Sequence, residues 1–80
     1  MGTIEVLAAK LADDTMDAMD ETGEDRLFTE VGDVLAASSQ SLEEAFLTEI
    51  RVRHSERIAR RFLEKRLASL RARKPPTAPG

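Results

Sequence analysis

The sequence predicts an all-α protein of three helices, two short and one long, forming a helical bundle completed by oligomerisation. Three observations carry that expectation. Apolar residues recur at helical spacing along most of the chain. No Gly or Pro falls between Leu42 and Lys74, a stretch rich in the good helix formers Leu, Glu, Arg and Ala. Eighty residues without a single cysteine have no disulfide or thiolate metal site to support a small core, so a second chain is the remaining source of stability.

The first helix is expected over 3–21. Ile4, Leu7, Ala8, Leu11, Thr15, Ala18 and Met19 share one face; Lys10, Asp13, Asp14, Asp17, Asp20 and Glu21 share the other. Thr3 is a candidate N-cap, and Gly23 a candidate terminator through the left-handed conformation. Asp17, Asp20 and Glu21 crowd a helix C-terminus, where the dipole favours cations. That end is expected to fray unless something basic lies against it.

The second helix is expected over 24–37. Leu27, Phe28, Val31, Val34 and Leu35 form its buried face, and Glu24 and Asp25 lie in its first turn. Gly32 falls outside that stripe and weakens the helix by about 1 kcal/mol relative to Ala, which marks a position of close packing.

The third helix is expected over 41–74, opened by a capping box of Ser41 with Glu44. At ~1.5 Å per residue it is a rod of about 50 Å, longer than the first two helices can cover. Its apolar face changes direction. Leu42, Phe46 and Ile50 form one stripe, with Leu47 at its edge. Val52, Ala59, Phe62, Leu63 and Leu70 form another, with Leu67 at its edge, turned by about 140° at 100° per residue. Positions 52, 59, 63 and 70 resemble a short coiled-coil seam. Two arrangements satisfy two apolar faces: the second half of the helix packs on another chain, or the first helix lies along it within one compact bundle. Residues 1–74 are expected to form a single small domain, and 75–80 a disordered Pro-rich tail.

Charge is sorted by position. Residues 1–49 carry thirteen Asp/Glu and two Lys/Arg, a net of −11. Residues 50–80 carry ten Lys/Arg and two Glu, a net of +8. Such polarity bears on partners more than on fold. It suits an acidic first helix lying along a basic third helix, within a chain or between antiparallel chains, because repulsion between like halves disfavours parallel pairing.

Arg53, Arg57, Arg60, Arg61, Lys65 and Arg71 form a basic face that can contact phosphates. It has no interleaved aromatics for stacking on single strands. The segment from Glu30 to Phe46, EVGDVLAASSQSLEEAF, resembles the helix-turn-helix pattern of bacterial repressors. Gly32 stands at the helix crossing, Ala36-Ala37-Ser38 forms the turn, and Leu42 is the first apolar residue after it. The resemblance covers about a fifth of the chain and implies a DNA-binding regulator. Two features depart from it. Glu43 and Glu44 join Ser39, Gln40 and Leu47 at the groove-facing positions, where carboxylates repel phosphate, and Ala36 replaces the usual Gly. The tail reads Arg73-Lys74-Pro75-Pro76-Thr77-Ala78-Pro79. It resembles the basic Pro-rich ligands of SH3 domains, and Pro76–Pro79 resembles the PTAP tetrapeptide of viral late domains. A tail of no specific role is the simpler expectation.

Nothing in the sequence points to catalysis. There is no nucleophile–base pair, no Gly-rich phosphate loop and no calcium loop. His54 has only Ile50, Arg51, Arg57 and Ile58 at helical-neighbour spacing, none of them a ligand, so no metal and no cofactor are expected. No apolar run approaches the ~18 residues of a membrane span, and the basic helix lacks the bulky apolar face of a membrane-surface helix. The N-terminus lacks the features of a secretory signal, so a cytoplasmic location is expected. The expected function is therefore a non-enzymatic protein-protein interaction module: an adaptor, assembly factor or regulatory subunit acting through the third helix, with a protein partner and self-association. DNA binding is the second reading. An accessory subunit of a larger enzyme, or an acidic inhibitor, is the third.

Overall fold

The computed structural model describes residues 2–73. Among them are three helices and no strand: α1 (Thr3–Thr22), α2 (Leu27–Ala36) and α3 (Gln40–Arg73). The expected all-α, three-helix architecture is present.

Each connection has a local cause. Gly23 adopts φ +77°, and its N–H donates to the Met19 carbonyl at 2.8 Å, closing α1. The Thr22 hydroxyl donates to the Ala18 carbonyl and accepts from the Glu24 N–H, so the turn begins while α1 is still ending. Glu24 and Asp25 are therefore used in the connection, and α2 starts three residues later than the sequence suggests. Between α2 and α3, the N–H groups of Ser38 and Ser39 both donate to the Leu35 carbonyl. Ser39, not Ser41, then caps α3: its Oγ accepts from the Leu42 N–H at 3.2 Å, and its carbonyl accepts from the Glu43 N–H. At α1 the cap position is Gly2 and Thr3 is the first helical residue, with no side-chain cap bond.

Ile4 and Glu5 of α1 lie beside Ala45 and Thr48 of α3, while Asp13 and Asp20 meet Arg53 and Arg57. The two helices therefore run in the same direction. Gly32 lies against Leu47, and Phe28 beside Ile50, so α2 runs back alongside them. The core is Ala8, Ala12, Met16, Phe46 and Ile50, with buried Thr15 at its side. Leu11, Met19, Phe28, Val31, Leu35, Leu42, Ala45 and Leu47 pack around it. Phe46 is the only large side chain among the described residues that is wholly buried, and Ala8 and Ala12 leave room for it.

Three expected core positions differ. Val34 is 71% exposed, and Ile4 and Leu7 are also on the surface. The buried line of α1 runs through Ala8, Ala12, Thr15 and Met16, about a quarter-turn from the line that hydrophobicity alone selects. Bulk at Ile4 or Leu7 would hold α1 away from Phe46, whereas alanines admit it.

The molecule is long. It measures 62 × 31 × 14 Å with a radius of gyration of 18.3 Å, against roughly 11–12 Å for a compact chain of this size. The cause is α3. Every residue of 58–73 is exposed, so about 24 Å of helix stands clear of the bundle. The arrangement with α1 lying along the second half of α3 is not the one adopted.

Gly23, which ends α1, and Gly32, inside α2, respond oppositely to the same substitution. Gly23 is strained by any side chain because of its positive φ, so Gly23→Ala is expected to cost about 1–2 kcal/mol. Gly32 is mid-helix, and an added Cβ meets only the flexible end of Leu47 at 3.4 Å. Gly32→Ala is therefore expected to stabilise by about 0.5–1 kcal/mol through helix propensity. Urea unfolding of the two variants measures both signs.

Candidate interaction surface

The buried line of α3 starts with Phe46 and Ile50 and continues, at the same helical spacing, with Arg53 and Arg57. Arg53 uses its whole guanidinium. Nε donates to Asp13 Oδ1 at 2.6 Å, Nη1 to the carbonyl and carboxylate of Glu49, and Nη2 to the Ala9 carbonyl at 3.3 Å. Arg57 grips Asp20 through two parallel bonds, Nη1 to Oδ1 at 2.7 Å and Nη2 to Oδ2 at 2.9 Å. This fork-on-carboxylate geometry is specific to Arg. The two arginines tie α3 to α1 where the apolar core ends. Arg57 also places positive charge beside the acidic C-terminus of α1, against Asp20 and near Asp17.

The carboxylates register these contacts. The hydrogen bond from Arg53 holds the Asp13 pKa below its ordinary 3.8, and that from Arg57 does the same for Asp20. The hydrogen bonds that Arg53 donates to Asp13 and then to Glu49 raise its own pKa in return.

The expected basic face is thus divided. Arg53 and Arg57 are bound to α1, and Arg60 donates from Nε to Glu56 one turn earlier at 2.7 Å. Arg61, Lys65 and Arg71 have no ion pair among the described residues and face solvent.

The expected partner stripe is entirely outside the bundle. Val52, Ala59, Phe62, Leu63, Leu67 and Leu70 are all exposed, Phe62 by 68%. Val52, Ala59, Leu63 and Leu70 lie on the side of α3 turned away from the Phe46–Ile50–Arg53–Arg57 line, Phe62 and Leu67 flank them, and Arg66 and Glu56 lie among them at positions that complete the helical spacing. Arg66 is a residue that charge-counting on the basic face passes over; its signal is its distance of three from Leu63 and four from Leu70. Leu67 and Leu70, with Arg66, Arg71 and Arg73, border an open depression near the tip.

Other candidates gather less. His54 lies beside Met16, Met19, Asp25, Phe28, Ile50 and Arg51 at the edge of the core, and the described residues bring no three His, Cys, Asp or Glu side chains together as a metal site. In the helix-turn-helix-like segment, Gly32 does stand where α2 meets α3, but against Leu47; Glu44 is exposed and Glu43 half-buried. No described helix is long and apolar enough to cross a membrane. The Pro-rich segment Pro75–Pro79 lies outside the described residues. No family model, curated protein or solved structure matches the chain.

The lowered carboxylates fix a pH dependence. A group held ionised in the folded state contributes stability that is full above its ordinary pKa and is lost as pH falls through its lowered value. The double variant Asp13→Asn with Asp20→Asn is expected to melt below the parent near pH 7. The gap should narrow as pH falls below the ordinary carboxylate value of 3.8 and close once both aspartates are protonated in the fold. Thermal unfolding followed by circular dichroism across that range tests it, and a gap that persists at the acid end removes the assignment.

Proposed function

We propose that this chain is a non-enzymatic, cytoplasmic protein-interaction module, of the adaptor, assembly-factor or regulatory-subunit kind. It acts as a dimer or higher oligomer through the outer part of α3. Its mechanism is burial of Val52, Ala59, Phe62, Leu63, Leu67 and Leu70 against a partner helix, with arginines flanking the contact.

One observation carries this reading: the outer part of α3 has a bulky apolar stripe, and among the described residues every side chain of it is exposed. An isolated helix of this length is marginal in water, because most helical stability in proteins comes from packing an amphipathic face. Five apolar side chains on a projecting helix, with Val52 exposed just before it, are the composition of half an interface. The phosphate-binding alternative draws on a smaller set of groups, since Arg53, Arg57 and Arg60 already hold carboxylates. Its remaining cations, Arg61, Lys65 and Arg71, have a single exposed aromatic near them, Phe62, and no series of aromatics on which successive bases could stack.

Phe62 and Leu63 touch none of the core, so Phe62→Asp with Leu63→Asp leaves the bundle intact and destroys the stripe. Tagged parent chain recovered from its native cell is expected to carry a partner, either a further copy or another protein, that the variant loses. Circular dichroism of the variant confirms that α1, α2 and the first half of α3 are still helical. Equal recovery of every partner by the two proteins removes the interface.

A further inference from the structure

The stripe on the arm is interrupted twice, and both interruptions are charged. Positions 52, 56, 59, 63, 66 and 70 step by four, three, four, three and four residues, the repeat of a helix packed along another helix. They are filled by Val52, Glu56, Ala59, Leu63, Arg66 and Leu70. The spacing is mirrored about position 61: 52 mirrors 70, 56 mirrors 66, and 59 mirrors 63. The charges at the mirrored places are opposite.

We infer that the arm pairs with the arm of a second copy, antiparallel, with Val52 facing Leu70, Glu56 facing Arg66 and Ala59 facing Leu63, each contact occurring twice about a two-fold axis. This rests on the arm being an interaction surface and names its occupant. An isologous contact requires a patch complementary to itself. An antiparallel two-helix seam meets the requirement only where the pattern reads the same from both ends, as this one does. The large residue of each apolar layer meets a smaller one, Leu63 on Ala59 and Leu70 on Val52, which fills the space between helices evenly. Phe62, beside the seam and next to the mirror point, meets its own copy across the axis. The most exposed apolar side chain of the arm is thereby covered.

Charge selects this direction over the other. A parallel in-register pair sets Glu56 against Glu56 and Arg66 against Arg66 inside the seam, and like charges there repel. The antiparallel pair turns both layers into opposite-charge contacts. Arg60 from the two copies also approaches across the axis. Each is already bonded to its own Glu56, so the layer is a cluster of Arg60, Glu56 and the Arg66 of the second copy rather than two bare cations. At longer range, the tip bearing Arg71 and Arg73 passes the other copy near Glu49, where its acidic body begins. A parallel pair would instead hold two basic tips together.

The chain has no cysteine, so Val52→Cys and Leu70→Cys each introduce a unique thiol. A mixture of the two variants is expected to oxidise to a disulfide-linked dimer, while neither does so alone, because like positions lie about 27 Å apart in this register. Glu56→Arg and Arg66→Glu should each raise the dimer dissociation constant about tenfold, and the double exchange should return it close to the parent value. Sedimentation equilibrium between ~10 and ~500 µM reads these constants, a range suited to a seam of under three heptads. A parent that stays monomeric at the upper limit, a Val52→Cys protein that crosslinks by itself, or a double exchange as weak as the single changes overturns the pairing. Those outcomes leave the arm available to a different protein. Only unchanged partner recovery by the Phe62/Leu63 variant removes the interface itself.

Discussion

A helix of 34 residues has to be covered by helices of 20 and 10. That mismatch determines the rest of the structure. α1 and α2 can enclose only the first half of α3, so the apolar line of Phe46 and Ile50 stops after two turns. The same line continues as Arg53 and Arg57. Arginine suits this boundary because its stem can lie along apolar surface while its fork reaches out to oxygen atoms on a neighbour. Packing and directional bonds then fix one rotation of α3 about its own axis. Once that rotation is set, the stripe that begins at Val52 must face away from α1. The exposed stripe is therefore a consequence of how the core is built.

Segregated charge acts at two scales. Individually, the pairs are exposed, and such pairs contribute little to stability. Asp13 and Asp20 are both more than half exposed even when bonded to their arginines. Collectively, they orient α1 against α3 and relieve the crowding of Asp17, Asp20 and Glu21 at a helix C-terminus. Among the described basic residues of α3, only Arg53 and Arg57 bond to α1. The cations from Arg61 to Arg73 remain beyond the bundle and give the arm a field opposite in sign to the body that carries it.

Helix number and order were legible because the periodicity is strong and the breaks are chemically distinct. Gly23 announces the end of α1 through the one backbone conformation that only glycine enters cheaply. The break in direction at Ile50–Val52 was legible too, since 100° per residue turns a list of apolar positions into an angle. Finer choices were not. Three serines at 38, 39 and 41 are equivalent as caps until the Leu35 carbonyl takes the N–H groups of Ser38 and Ser39, which leaves Ser39 to open α3. Ile4, Leu7 and Val34 outrank Ala8, Ala12 and Gly32 in hydrophobicity, yet the smaller residues are buried. Burial between closely crossing helices depends on how near two backbones can come, and that distance is a property of the pair. Local ranking of side chains contains no such term. The site followed the same division: the stripe could be read from spacing, whereas the roles of Arg53 and Arg57 needed the position of α1.

Glu56 and Arg66 show why an interaction seam can retain charges at a cost to its own stability. Leucine at both positions would make the stripe continuous and more adhesive, since desolvating two ions consumes much of what their attraction returns. A continuous leucine stripe would also be indifferent to direction: parallel, antiparallel and slipped pairings would all bury similar area, and other amphipathic helices would fit as well. Two opposite charges at mirrored positions remove that degeneracy. Every register except one leaves a carboxylate or a guanidinium facing leucine, alanine or its own kind. In the self-pairing inferred above, the apolar residues supply adhesion and the two charges decide which adhesion is permitted. The arm is thus short and weak enough to need its correct partner, and patterned enough to discriminate against incorrect ones.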